Sequence, residues 1–160
     1  MALLSVVLAA PLAAKELATG RGASIDMPAG FAPGEGDGST RFAYFDPTGE
    51  MELDILVYEP SRFATAEAMA ADAAVRLGSA GDASAFAYAG REAVLAELSF
   101  PLDGAARRGY GLFVAGRDGE SDHALLAHAP AARFDAWGEV VISALDGFSV
   151  DRAARRGPGP

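Results

Sequence analysis

The stretch from Arg108 to Val150 constrains the fold most, because its hydrophobic spacing changes period once and cleanly. The run Arg108-Gly-Tyr-Gly-Leu-Phe-Val-Ala-Gly is strand-like, and a second apolar run, His123 to Ala129, follows the turn residues Arg117-Asp118-Gly119-Glu120. Asp-Gly between two apolar runs signals a hairpin whose two central residues take positive φ. After Pro130 the period becomes helical: Phe134, Trp137, Val141, Ala144, Leu145 and Phe148 fall on one helix face. A hairpin therefore feeds a final helix that lies back on the sheet.

Upstream, strand alternation is predicted over Ser24–Met27, Arg41–Asp46 and Met51–Tyr58. In the last of these Met51, Leu53, Ile55 and Val57 share one face, and Glu52, Asp54 and Tyr58 share the other, which reads as solvated. Thr65 is placed to N-cap a helix that carries Glu67 in its first turn and ends at Gly78. Strands over Ala83–Tyr88 and Glu92–Pro101 follow, joined by a tight turn at Ala89-Gly90; Leu102–Arg107 reads as a loop. The order β-β-β-α-β-β-β-β-α means α+β, a mainly antiparallel sheet with two helices set apart.

The chain has 160 residues, 51% of them hydrophobic, enough for one ordinary core. A net charge of −9 repels phosphate backbones and anionic lipid, which argues against nucleic acid as a partner. With no cysteine, disulfides, thiolate chemistry and Cys-ligated zinc are excluded. The single Lys against twelve Arg, with no Asn or Gln, is the composition of a GC-rich bacterial coding sequence. Residues 1–14 are uncharged and end in small residues, as does the h-region of a secretory signal, although no positive n-region precedes them. They are too short to span a bilayer, so the mature chain is expected to be exported, periplasmic or extracellular, without a membrane span. Residues 15–22 form a polar lead-in, 23–150 one domain, and 151–160 a disordered tail or a linker to a larger envelope protein.

Chemistry-bearing residues are sparse. His123 and His128 are five apart on one strand and face opposite sides, so they do not chelate one metal; no metal or cofactor is expected. No Gly-x-Ser-x-Gly elbow surrounds Ser99, Ser121 or Ser143. Gly34-Glu-Gly-Asp-Gly38 is too acidic to cradle a phosphate and leads into a strand; it reads as the flexible rim of a cleft. Glu52 and Asp54 would stand about 7 Å apart on one strand face, within the range for inverting glycoside chemistry. Alternating acids are more simply a wet strand face, so no catalytic residue is assigned. The aromatics Phe31, Phe45, Tyr58 and Phe63, with Tyr44, exceed what one strand face buries. The first four are candidates to line a groove beside the Gly-rich loop for a protein partner or small ligand, unless helices cover both sheet faces and bury them.

The opening Ile25-Asp-Met-Pro-Ala-Gly-Phe31, the strand-to-helix step from Leu53 to Leu77, the hairpin, and the Leu145-Asp-Gly-Phe148 end of the last helix resemble PsbP-like domains. The resemblance spans residues 23 to 150 and implies a central antiparallel sheet with helices on its faces, an α/β/α sandwich. It implies no common catalytic set. An exported, non-catalytic accessory or binding domain is expected. The alternatives are a small periplasmic hydrolase using strand carboxylates, or a structural module of a larger envelope protein.

Overall fold

A computed structural model of the chain describes residues 15–19 and 21–150. The readings of residues 1–14 and 151–160 fall outside this range.

Seven strands form one antiparallel sheet in the order β3-β4-β5-β9-β8-β7-β6. They are β3 (Ala32–Pro33), β4 (Arg41–Phe45), β5 (Glu52–Tyr58), β6 (Ala83–Tyr88), β7 (Arg91–Leu102), β8 (Ala105–Val114) and β9 (Asp122–Pro130). Residues 122–129 of β9 are buried on both faces, as befits a central strand covered by helices on either side. The helix α1 (Ala66–Leu77) packs on one face through Ala66, Met69, Ala70 and Ala73, against Val94, Phe113 and Leu126. Thr65 Oγ1 accepts from the Ala68 amide at 3.1 Å and Gly78 closes the helix at φ +64°, as expected from the sequence.

The opposite face carries a 3-10 segment (Ala131–Trp137) running into α2 (Gly138–Gly147). Phe134, Val141 and Ala144 are buried there against Leu112, Val114 and Leu125. The apolar stripe was legible in the sequence, but its first turns are 3-10. Pro130 provides no side-chain cap, and no side chain caps α2 at Trp137 either.

Two further differences from the sequence reading have local causes. The first strand does not join the main sheet: β2 (Ala23–Met27) lies between β1 (Lys15–Ala18) and β10 (Phe148–Val150) in a separate three-stranded sheet. Phe148, expected on the helix, begins β10 opposite Ile25, and both are fully buried. The tight Asp-Gly turn is Asp103-Gly104, at φ +51° and +80°, which joins β7 directly to β8. Asp118-Gly119 instead sits in the longer 115–121 connection, where only Gly119 has positive φ. Ala89-Gly90 is the tight turn expected, with both residues at positive φ.

Candidate functional site

Glu52 and Asp54 do share the face of β5 predicted for them, but that face is dry: they are 5% and 4% exposed. On β9, His128 stands opposite Glu52 and is 3% exposed. Arg107 reaches in from β8, and Arg41 closes the group from β4. Both histidines are buried; His123, on the other face, meets the Arg21 carbonyl through Nε2 at 2.9 Å.

Proton placement follows from the partners. The Arg107 guanidinium has only donors, and its Nε lies 3.1 Å from His128 Nδ1, so Nδ1 accepts. The ring proton therefore sits on Nε2, which donates to Asp54 Oδ2 at 3.3 Å. Asp54 Oδ1 accepts from Arg41 Nε at 2.8 Å, and Arg41 Nη2 donates to Glu52 Oε1 at 2.7 Å. Arg107 Nη2 also donates to the carbonyls of Glu50 and His128, and the Phe100 ring stands edge-on to the imidazole at 5.1 Å. Two carboxylates face two guanidinium groups, so the network is neutral as a unit.

Burial, then the nearby Asp54 charge, pushes Glu52 up from its ordinary carboxylate range. Burial acts in the same sense on Asp54, but the His128 hydrogen bond and Arg41 outweigh it and hold Asp54 down. One ligand atom each of Glu52, Asp54 and His128 lies within 4.8 Å of the others, and these residue types suit a divalent ion. Most of their coordinating positions are already engaged, however: Nε2 bears the proton and donates to Asp54 Oδ2, Arg41 holds Asp54 Oδ1 and Glu52 Oε1, and Glu52 Oε2 stands 3.7 Å from Nε2. Arg41 bridges the two acids, and an oxygen of each lies within 4.8 Å of one on the other, short of the roughly 6.5–9.5 Å that separates the carboxyl groups of an inverting hydrolase.

The four aromatic candidates fall in three places. Tyr58 and Phe63 meet edge-to-face at 5.1 Å, with the Arg62 guanidinium 5.6 Å and 5.4 Å from their rings. Phe45 lies over Gly34, where a Cβ would come within 2.1 Å of the ring. Phe31 packs into the core on the α2 side. The Gly-rich loop is tied down by Asp37, whose Oδ1 accepts from the amides of Ser39, Thr40 and Arg41.

A different concavity opens beside α2. Leu95 and Tyr110 form its floor and Phe134, Val141, Ile142 and Leu145 its sides, enclosing about 410 Å³. Sequence spacing missed this recess, although Ile142 was a visible clue. It lies off the buried stripe of α2 and is 61% exposed.

No protein-family model matches the chain, and no curated protein matches it by sequence. Solved structures do match. Cyanobacterial PsbP (CyanoP) from Synechocystis sp. superposes with TM-score 0.66 at 14% identity, covering 94% of this chain and 98% of that one. The Ran-binding protein Mog1p of Saccharomyces cerevisiae gives 0.60 at 12% identity over 86% and 95%. LpqN of Mycobacterium tuberculosis, involved in cell envelope biogenesis, gives 0.53 at 15% over 81% and 83%. Sheet order, helix placement and these superpositions agree that the chain has the fold of a PsbP-like domain.

Proposed function

We propose that this is an exported, non-catalytic binding or accessory domain that works through an exposed contact surface. The observation that carries the reading is the contrast between its two notable sites. The ionisable cluster on β5, β8 and β9 is buried, neutral and closed by Arg41. The open recess beside α2 is lined mainly by apolar side chains. Reactive groups are thus spent on holding strands together, while the accessible concavity offers contact without chemistry. The shared fold with a Ran-binding protein supports a binding role, and that with a protein involved in cell envelope biogenesis supports export. Among the described residues no helix is long and apolar enough to cross a membrane. Tyr58 and Phe63 under Arg62, with Phe45 beside the Gly-rich loop and Phe31 on the α2 side, enter the proposal as secondary contact positions.

The test is photo-crosslinking in the cell that makes the protein, with a photoreactive residue at Ile142, Val75 or Tyr58 in turn. A discrete adduct from one surface, preserved when Glu52→Gln is introduced, is the expected result. Absence of any adduct, together with a turnover that Glu52→Gln or Asp54→Asn abolishes, would replace this reading with the hydrolase.

A further inference from the structure

The helix α2 packs over β2, β8 and β9. On β7 and β6 the end at Ala93 and Tyr88 is covered, with Tyr88 Oη donating to the Phe148 carbonyl, while the part of the same sheet face beyond it is open. Leu95 of β7 is only half-buried at the floor of the recess. Beside it on β6, Phe86 is 42% exposed, although it points to the same side. Strands lie about 4.8 Å apart, so β7 and β6 together make a strip roughly 10 Å wide. Helices pack side by side at about that distance. The uncovered strip is therefore one helix wide, bounded by Ile142 and Leu145 of α2 on one side and by the sheet edge on the other.

Charge specifies what fits. Across Ile142 a second recess of about 570 Å³ is lined by Asp26, Glu139 and Asp146, and Asp135 lines the first. Neither recess is lined by a basic side chain. Asp135 lies 3.8 Å from Arg108 and its side chain is 97% exposed. Asp26, Glu139 and Asp146 make no ion pair among the described residues. Apolar contact beside uncompensated carboxylates suits a ligand that is apolar on one side and cationic on its flank.

We propose that this strip binds an amphipathic helix of a partner protein, apolar along one face, with arginine or lysine on the flank that meets Glu139 and Asp146. The proposal rests on the binding-domain reading and specifies its partner. Such a helix would lie beside α2, cover Leu95, Phe86 and Ile142, and complete the helical layer on that face.

Three synthetic peptides of roughly 18 residues, about five helical turns, test it. One has leucines at helical spacing with arginine flanks, one the same leucines with glutamate flanks, and one the arginine composition scrambled. Titrated into isotope-labelled protein, the first is expected to shift the resonances of Leu95, Tyr110 and Ile142, and to bind at least about tenfold tighter than the other two. Ile142→Asp should weaken it about tenfold or more, while Val75→Asp, an equal burden at a site 82% exposed on α1, should not. Paired Glu139→Lys and Asp146→Lys should move the preference toward the glutamate peptide. All four substituted residues are exposed, so the variants test the surface rather than folding.

Equal binding of the scrambled peptide, shifts confined to the α1 face, or indifference to Ile142→Asp would each overturn the proposal. So would self-association that covers Ile142 in the peptide-free protein, because a second copy would then be the occupant. If crosslinks arise from Val75 or Tyr58 while the peptides fail, the partner helix is refuted and the binding role stands.

Discussion

Arg107 decides which nitrogen of His128 carries a proton, and through it the imidazole becomes a donor to Asp54. Each member of the network thus depends on the one before it. Asp54→Ala should leave the Nε2 proton and one side of Arg41 without their acceptor in a dry interior. The expected loss is about 3 kcal/mol of unfolding free energy, read from denaturant titration. On the other face His123 is 2% exposed, and burial lowers its proton affinity, with Arg91 adding to the effect. The Arg21 carbonyl and Asp122 act in the opposite sense without cancelling it. The unfolded chain therefore takes up the proton first as pH falls below the ordinary histidine value of 6.5. Stability from this group is full above that value and is lost below it, at no more than about 1.4 kcal/mol per pH unit. His123→Gln should flatten the change in urea midpoint between about pH 7.5 and about pH 5.5.

At the scale of elements, the Asp103-Gly104 turn joins the two longest strands. A Cβ on Gly104 would meet nothing within 4 Å, so Gly104→Ala tests backbone conformation alone. At φ +80° it should cost about 1 kcal/mol, measured as a shift in the thermal midpoint. The same dipeptide at 118–119 shows why one was legible and the other was not. Pro101 reads as the end of a strand, yet it continues β7. There β6 has already ended, its pairing with β7 stopping at Ala96, so no neighbour on that side needs the missing amide. Helix α1 and its two ends were readable because caps act within a few residues of themselves. The charged cluster was half readable. Alternation places Glu52 and Asp54 on one face, but what covers that face comes from Arg41, Arg107 and His128. Their positions depend on strand register across the sheet.

At the scale of the molecule, two sheets share one core, and Phe148 joins them: it is 1% exposed and pairs with Ile25 in the small sheet. Phe148→Ala should cost about 3–5 kcal/mol, seen as a lowered denaturant midpoint, with loss of amide protection in β2 as well as β10. The short β10 escaped sequence reading because three residues carry too little alternation to stand out after a helical stripe. The clasp also sets an order of events in time. A chain made from its N-terminal side leaves one edge of β2 vacant until residues 148–150 have been synthesised. The small sheet therefore cannot finish while the ribosome still holds that strand.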